Sequence, residues 1–154
     1  KYLRYRFPQS HILAVDLAPK MIEIARMQVP NVDFRVMDVR ATASLPQQFD
    51  LIMCSFCLPF LSKVDAGLLI QDCFRKLNPG GLLYVSTMEG SEDDAGFETT
   101  SFSGKAEIYF NYHTYKDINQ SLVDSGFILH YFKRQEYKEP DGTLLTDMIF
   151  VAEK

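Results

Sequence analysis

Short apolar runs, each closed by an acid, alternate with amphipathic segments along this chain, and that alternation narrows the folds open to it. Ile12-Leu13-Ala14-Val15 is closed by Asp16, and Val32 to Met37 is closed by Asp38. Residues 11–17 read as a buried strand. Pro19 then opens a helix with Met21, Ile24, Ala25 and Gln28 on one face, ended by Val29-Pro30. A second strand is predicted at 32–38, a third at Phe49 to Phe56, and a fourth, rich in branched and aromatic residues, at Leu82 to Thr87. Between the third and fourth, Ser62 with Asp65 gives a capping box for a helix whose Ala66, Leu69, Ile70, Cys73 and Leu77 recur at helical spacing. Asn78-Pro79-Gly80-Gly81 stops it. The pattern predicts an α/β fold: a doubly wound, mostly parallel sheet with helices on both faces and right-handed crossovers.

The C-terminal third changes character. Thr114 and Asp117 cap a helix carrying Ile118, Leu122 and Val123, and Ser125-Gly126 ends it through a left-handed residue. Phe127 to Tyr137 and Leu144 to Ala152 read as two strands joined by the turn Glu139-Pro140-Asp141-Gly142, an antiparallel hairpin that makes the sheet mixed at one edge. Residues 89–113 are too long for an ordinary connection and are predicted to form a lid or substrate wall. The chain reads as one domain, 1–154.

Bulk properties exclude several classes. With 47% hydrophobic residues in 154, the chain carries enough apolar material for a core. Sixteen basic against 20 acidic residues, with no run of either sign, leave a net charge of −4 and no electrostatic footprint for nucleic acid. No stretch reaches the length of a membrane span, and Lys1 to Arg6 lacks the apolar centre of a signal peptide, so a cytoplasmic protein with a small-molecule substrate is expected. Cys54, Cys57 and Cys73 are an odd set that favours free thiols. Cys54 and Cys57 form a CxxC, but Cys54 falls inside a strand rather than at a helix start, and no second pair exists to complete a zinc site.

Two acids at the C-terminal ends of neighbouring strands are what a wound sheet uses to hold a nucleoside, because carboxylates there accept from ribose hydroxyls or an adenine amine. The succession ILAVDLAPKMIEIA, VDFRVMD, FDLIMCSFCLPFLS, LNPGGLLYVST, a helix ending in SGF and a final hairpin resembles the class I methyltransferases that use S-adenosylmethionine, in particular small bacterial ones. The resemblance runs from about residue 10 to the end and implies a Rossmann-like fold. It further implies that Asp16 accepts from both ribose hydroxyls, Leu17 and Met21 pack on the adenine, and Asp38 accepts from the adenine amine. Val39 would offer its N–H to the ring, and Ser55 and Phe56 would border the methionine part. Core packing for Leu17, Met21 and Phe56, and a solvated turn or helix-cap role for the two acids, are the alternatives at these positions.

The chain departs from that family at its start. A first strand and a GxGxG-type turn, expected before Asp16, are missing, and Lys1 to Phe7 looks like the end of the helix that should follow them. Without that strand the sheet is expected to fall into two half-sheets with exposed edges, inviting a homodimer. The native product is accordingly expected to be longer, and these 154 residues to bind the cofactor weakly or not at all.

Methyl transfer needs alignment and exclusion of water more than catalytic side chains. His113, just before a helix N-terminus that favours a neutral ring, is the best-placed base of the three histidines, with a surface or capping role as the alternative. His11 and His130 read as structural. Glu89, Tyr109 and Tyr112 are the candidate substrate contacts; a solvated loop acid and packing of the lid are their plainer readings. A nicotinamide-dependent reductase competes on the same architecture, since Tyr112 and Lys116 make a YxxxK, though with eight tyrosines the spacing carries little weight. The remaining alternative is a degenerate, non-catalytic binding or scaffold protein.

Overall fold

The computed structural model describes residues 1–98, 108–138 and 142–154. The chain forms two compact units, Lys1–Ser44 and Leu45–Lys154.

The first unit holds α1 (Tyr2–Arg6), β1 (Leu13–Asp16), α2 (Pro19–Gln28), β2 (Asp33–Val36) and a 3₁₀ segment, Val39–Ser44. β1 and β2 pair in parallel, Leu13 opposite Asp33 and Asp16 opposite Val36, as a two-stranded sheet of their own. Pro19 opens α2 as its composition predicts. The helix face differs from expectation: Ile22 is buried and Ala25 half-buried, while Met21, Ile24 and Gln28 are exposed. Two four-residue strands shield only a narrow stripe of a helix, and the stripe runs through Ile22.

The second unit contains β3 (Phe49–Ser55), a 3₁₀ turn at Leu58–Phe60, α3 (Lys63–Lys76), β4 (Leu77–Met88), a 3₁₀ turn at Glu92–Asp94, β5 (Gly96–Glu98), β6 (Ile108–Phe110), α4 (Tyr115–Ser125), β7 (Ile128–Lys138) and β8 (Leu144–Glu153). Its main sheet runs β3-β4-β8-β7, with β3 and β4 parallel and the other pairs antiparallel, the mixed sheet and terminal hairpin that the pattern predicts. Of the predicted hairpin turn, 139–141 lie outside the described residues, and Gly142 has φ +95°.

β4 begins earlier than its apolar run suggests. The Gly80 N–H donates to the Lys154 carbonyl (3.1 Å) and the Lys154 N–H to the Gly81 carbonyl (3.0 Å), so the glycine turn continues the ladder. A Cβ on Gly81 would lie 2.8 Å from the Asn78 carbonyl oxygen, which reserves that position for glycine.

The core of this unit lies on one face of the sheet. α3 turns Ala66, Leu69, Ile70 and Cys73 inward and α4 turns Ile118 and Leu122, against Leu83, Val85, Met148 and Phe150. Tyr115, Phe132 and Phe150 form an aromatic cluster with centroids 4.6–5.9 Å apart. Both helices are capped where expected. Ser62 Oγ accepts from the Asp65 N–H, Thr114 and Asp117 form a reciprocal capping box, and Gly126 closes α4 at φ +99°. On the opposite face Leu51, Met53, Leu82 and Tyr131 are exposed.

The 89–113 segment carries elements of its own. Ser91 and Asp94 cap a short 3₁₀ turn, and β5 pairs antiparallel with β6, while 99–107 lie outside the described residues. No helix among the described residues is long and apolar enough to cross a membrane.

Candidate functional site

In the first unit the two acids emerge at the same end of adjacent parallel strands. Asp16 closes β1, its carbonyl accepts the Met37 N–H (3.0 Å), and Asp38 follows one residue later. Asp16 Oδ1 accepts the Ala18 N–H (2.8 Å), a turn that orients the carboxylate while leaving the residue exposed. Asp38 is held more tightly. Its Oδ1 accepts the Arg40 N–H (2.9 Å), and the Arg40 guanidinium engages both oxygens at 2.5–3.0 Å. The guanidinium first, then the backbone bond, hold this carboxyl below the usual carboxylate range. Leu17 and Met21, beside Asp16, are 67% and 53% exposed, so neither serves as core here. Val39 starts the 3₁₀ segment and is half-buried.

In the second unit β3 and β4 also end side by side. Ser55 Oγ lies 3.3 Å from Ser86 Oγ, and the Phe56 N–H donates to the Ser86 carbonyl (2.9 Å). Phe56 sits at φ +51° with its ring 42% exposed. A left-handed conformation costs a non-glycine residue roughly 1–2 kcal/mol, and strain of this kind at a parallel strand's carboxyl end is characteristic of ligand-binding turns.

The cysteines are free thiols packed against one another. Cys54 Sγ and Cys73 Sγ are 3.9 Å apart and both residues are buried. The contact with Cys54, then burial, push the Cys57 thiol far up. Cys54 is also raised: its contact with Cys57 lowers it, but the Cys73 contact and burial outweigh that. Thiols held protonated are poor nucleophiles and poor ligands. Among the described residues no cluster of His, Cys, Asp and Glu could hold a metal ion.

Beyond β4, Glu89 is paired with a cation of β7. Its carboxylate accepts from Arg134 Nε (2.6 Å) and Nη2 (2.8 Å), and the guanidinium lies over the Phe132 ring at 5.0 Å. Gly90 follows because Tyr112 leaves no room for a side chain: a Cβ there would stand 2.7 Å from the ring. Tyr109 and Tyr112 line an open cleft of about 340 Å³ with Ser62, Lys63, Val64, Glu92, Ala95 and Asn111. Lys63 bridges Glu92 (3.0 Å) and Asp117 (3.2 Å), and those two carboxylates raise its pKa. Tyr112 precedes α4 whereas Lys116 lies within it, so the YxxxK pair does not share a helical face.

His113 is fully buried, and it is not among the residues lining the cleft. Its Nε2 lies 2.9 Å from the Leu58 carbonyl oxygen, and Nδ1 is buried without a hydrogen-bond partner. Burial, more than any neighbour, lowers its pKa. The ring atoms expected at the sheet rim are therefore enclosed, because Leu58, 55 residues away in sequence, draws the imidazole inward. His130 Nε2 lies 2.7 Å from Glu153 Oε2, and His11 is exposed.

Sequence reasoning missed two groups. Lys63 gives no sign in the sequence of bridging two acids remote from it. Asp147 lies within apolar β8, its Oδ1 buried and unpartnered, and burial raises its carboxyl. An acid directly before the apolar run Met148 to Ala152 was the available signal.

The fold is that of an α/β protein of wound-sheet type, with two acids at the C-terminal ends of paired parallel strands. Residues 1–81 match the family described as "Methyltransferase domain", and the chain belongs to that family. It is 34% identical over 84 residues to the ubiquinone biosynthesis O-methyltransferase of Xylella fastidiosa, covering 51% of this chain and 33% of that protein. To the malonyl-[acyl-carrier protein] O-methyltransferase of Acetivibrio thermocellus it is 32% identical over 116 residues, covering 74% and 36%. The chain thus spans about a third of the length of these relatives. A SAM-dependent methyltransferase structure from Methanosarcina mazei matches with a TM-score of 0.78 and 19% identity, covering 99% of this chain and 86% of that one, a likeness of fold.

Proposed function

We propose that this chain is the catalytic domain, or part of it, of an S-adenosylmethionine-dependent enzyme that methylates an oxygen of a small molecule. The observation that carries this reading is the pairing of Asp16 and Asp38 at the C-terminal ends of β1 and β2. Asp16 keeps acceptor capacity for a ribose diol beyond its single bond to Ala18. Leu17 and Met21 present exposed apolar surface beside it for a purine. Asp38, ionised through Arg40, accepts from the adenine amine, and Val39 supplies its N–H to the ring. The choice of oxygen rests on the two O-methyltransferase relatives.

The bound cofactor supplies an electrophilic methyl group on a sulfonium, which an acceptor lone pair takes in line as the carbon–sulfur bond breaks. This chain's part is to orient and to exclude water. Tyr109 and Tyr112 wall the acceptor cleft, with Lys63 and Glu92 at its polar side.

Saturation-transfer NMR with S-adenosylhomocysteine tests the reading at micromolar to millimolar affinity. Ribose and adenine protons should receive magnetisation from the chain, and Asp16→Ala should weaken binding about 10- to 100-fold, the worth of a charged acceptor on a diol at roughly 1.5–3 kcal/mol. Equal signals from the variant and the parent, or none from either, defeat the assignment.

A further inference from the structure

We propose that His113 is a positioning residue for this reaction: a neutral imidazole strut that fixes the turn bearing Phe56 to the segment that walls the acceptor cleft. The functional part of this inference rests on the methyl-transfer reading; the structural part does not.

The turn after β3 and the segment 108–113 are remote in sequence, yet three contacts join them. The Asn111 N–H donates to the Pro59 carbonyl (2.7 Å), the Phe60 and Phe110 rings meet at 5.2 Å, and His113 Nε2 reaches the Leu58 carbonyl (2.9 Å). The last is the deepest, since Leu58 and His113 are both fully buried. A carbonyl oxygen only accepts, so Nε2 carries the proton and Nδ1 is the bare nitrogen. Leu58 already accepts the Leu61 N–H (2.9 Å), so the imidazole takes its second lone pair and ties the 3₁₀ turn on its inner side. On the other side of His113 its own backbone pairs with Glu89 and its carbonyl accepts the N–H of Gly90 (3.2 Å), the glycine against which Tyr112 is seated. One residue therefore links, through its side chain, the turn after β3 and, through its backbone, the carboxyl end of β4 to the cleft wall.

That position also sets the ring apart from the cleft. Nδ1 is enclosed, and the residue does not line the cleft. Asp117 and Lys63 are the charged groups that act on the ring, in opposite directions, and burial outweighs both. The role needs a hydrogen-bond donor of fixed length, and glutamine supplies one where leucine or alanine does not.

The experiment compares His113→Gln and His113→Ala with the parent. In hydrogen exchange, amides at 56–62 should open about tenfold faster in His113→Ala and return close to parent rates in His113→Gln. In methyl-transfer assays kcat should fall in His113→Ala, recover in His113→Gln, and keep the same pH dependence throughout. Unchanged exchange in His113→Ala, or a pH–rate limb lost in both variants as removal of a base requires, overturns the proposal. Absence of transfer by the parent would count against the methyl-transfer reading while exchange still judged the strut. Should His113→Ala fail to fold, nitrogen-15 NMR of the parent decides: Nε2–H with a pKa below the ordinary value of about 6.5 supports the strut, and an Nδ1–H tautomer refutes it.

Discussion

Replacing Asp147 by Asn should stabilise this protein at neutral pH and leave it unchanged in acid. Asp147 lies in the central strand β8, opposite Met88 and Gln135, with Oδ1 sequestered and no hydrogen-bond partner. Burial raises its carboxyl above the unfolded value, so ionisation costs the folded state more than the unfolded one. The penalty is absent below the unfolded pKa of about 3.9, grows as pH rises through the folded pKa, and is complete above it. Asn keeps the unpaired polar atom but carries no charge, so the variant relieves only the cost of ionisation, which at a part-exposed site is about 1 kcal/mol. For a chain of this size that is about 2–4 °C in Tm. Urea melts followed by far-ultraviolet circular dichroism at pH 7 and pH 3 measure it, and other carboxylates cancel in the difference between variant and parent. The reasoning fails if Asp147→Asn is no more stable at pH 7, or if the same gain persists at pH 3.

Two glycines should respond to alanine with opposite signs. Gly126→Ala meets a φ of +99° and a Phe74 ring atom 3.0 Å from the new Cβ, and thermal melts should show a loss of about 1–3 kcal/mol. Gly67→Ala, inside α3 with only Ser121 Oγ at 3.5 Å, should gain about 0.5–1 kcal/mol. The native thiols should resist iodoacetamide at pH 7.5, since Cys54 and Cys73 are buried and Cys57 is held protonated; mass spectrometry should find all three alkylated only in urea, and rapid native labelling of Cys57 would contradict its environment.

Features set by local chemistry were legible before any coordinates. Asp16 and Asp38 announce themselves by ending apolar runs, Thr114 and Asp117 by capping spacing, and Gly126 by following a helical stripe, because each outcome depends on neighbours within four residues. Features set by distant partners were not. α2 buries Ile22 rather than Met21 and Ile24 because of how little sheet it meets. β4 starts at Leu77 because that residue pairs with Phe49 of β3 across a register shift, while Lys154 bonds to the glycine turn. β5 and β6 are three residues each, too short for a periodic signal. The enclosure of His113 and the neutralisation of Glu89 depend on Leu58 and Arg134, which no spacing rule connects to them.

The two acids assigned to the nucleoside stand on a pair of four-residue strands braced by one helix whose single buried side chain is Ile22. So slight a scaffold opens locally at low free energy. Capture of an adenosine by Asp16 and Asp38 would then do more than fill a pocket: part of the affinity would be spent on freezing the grip itself, and the guest would act as its own folding template.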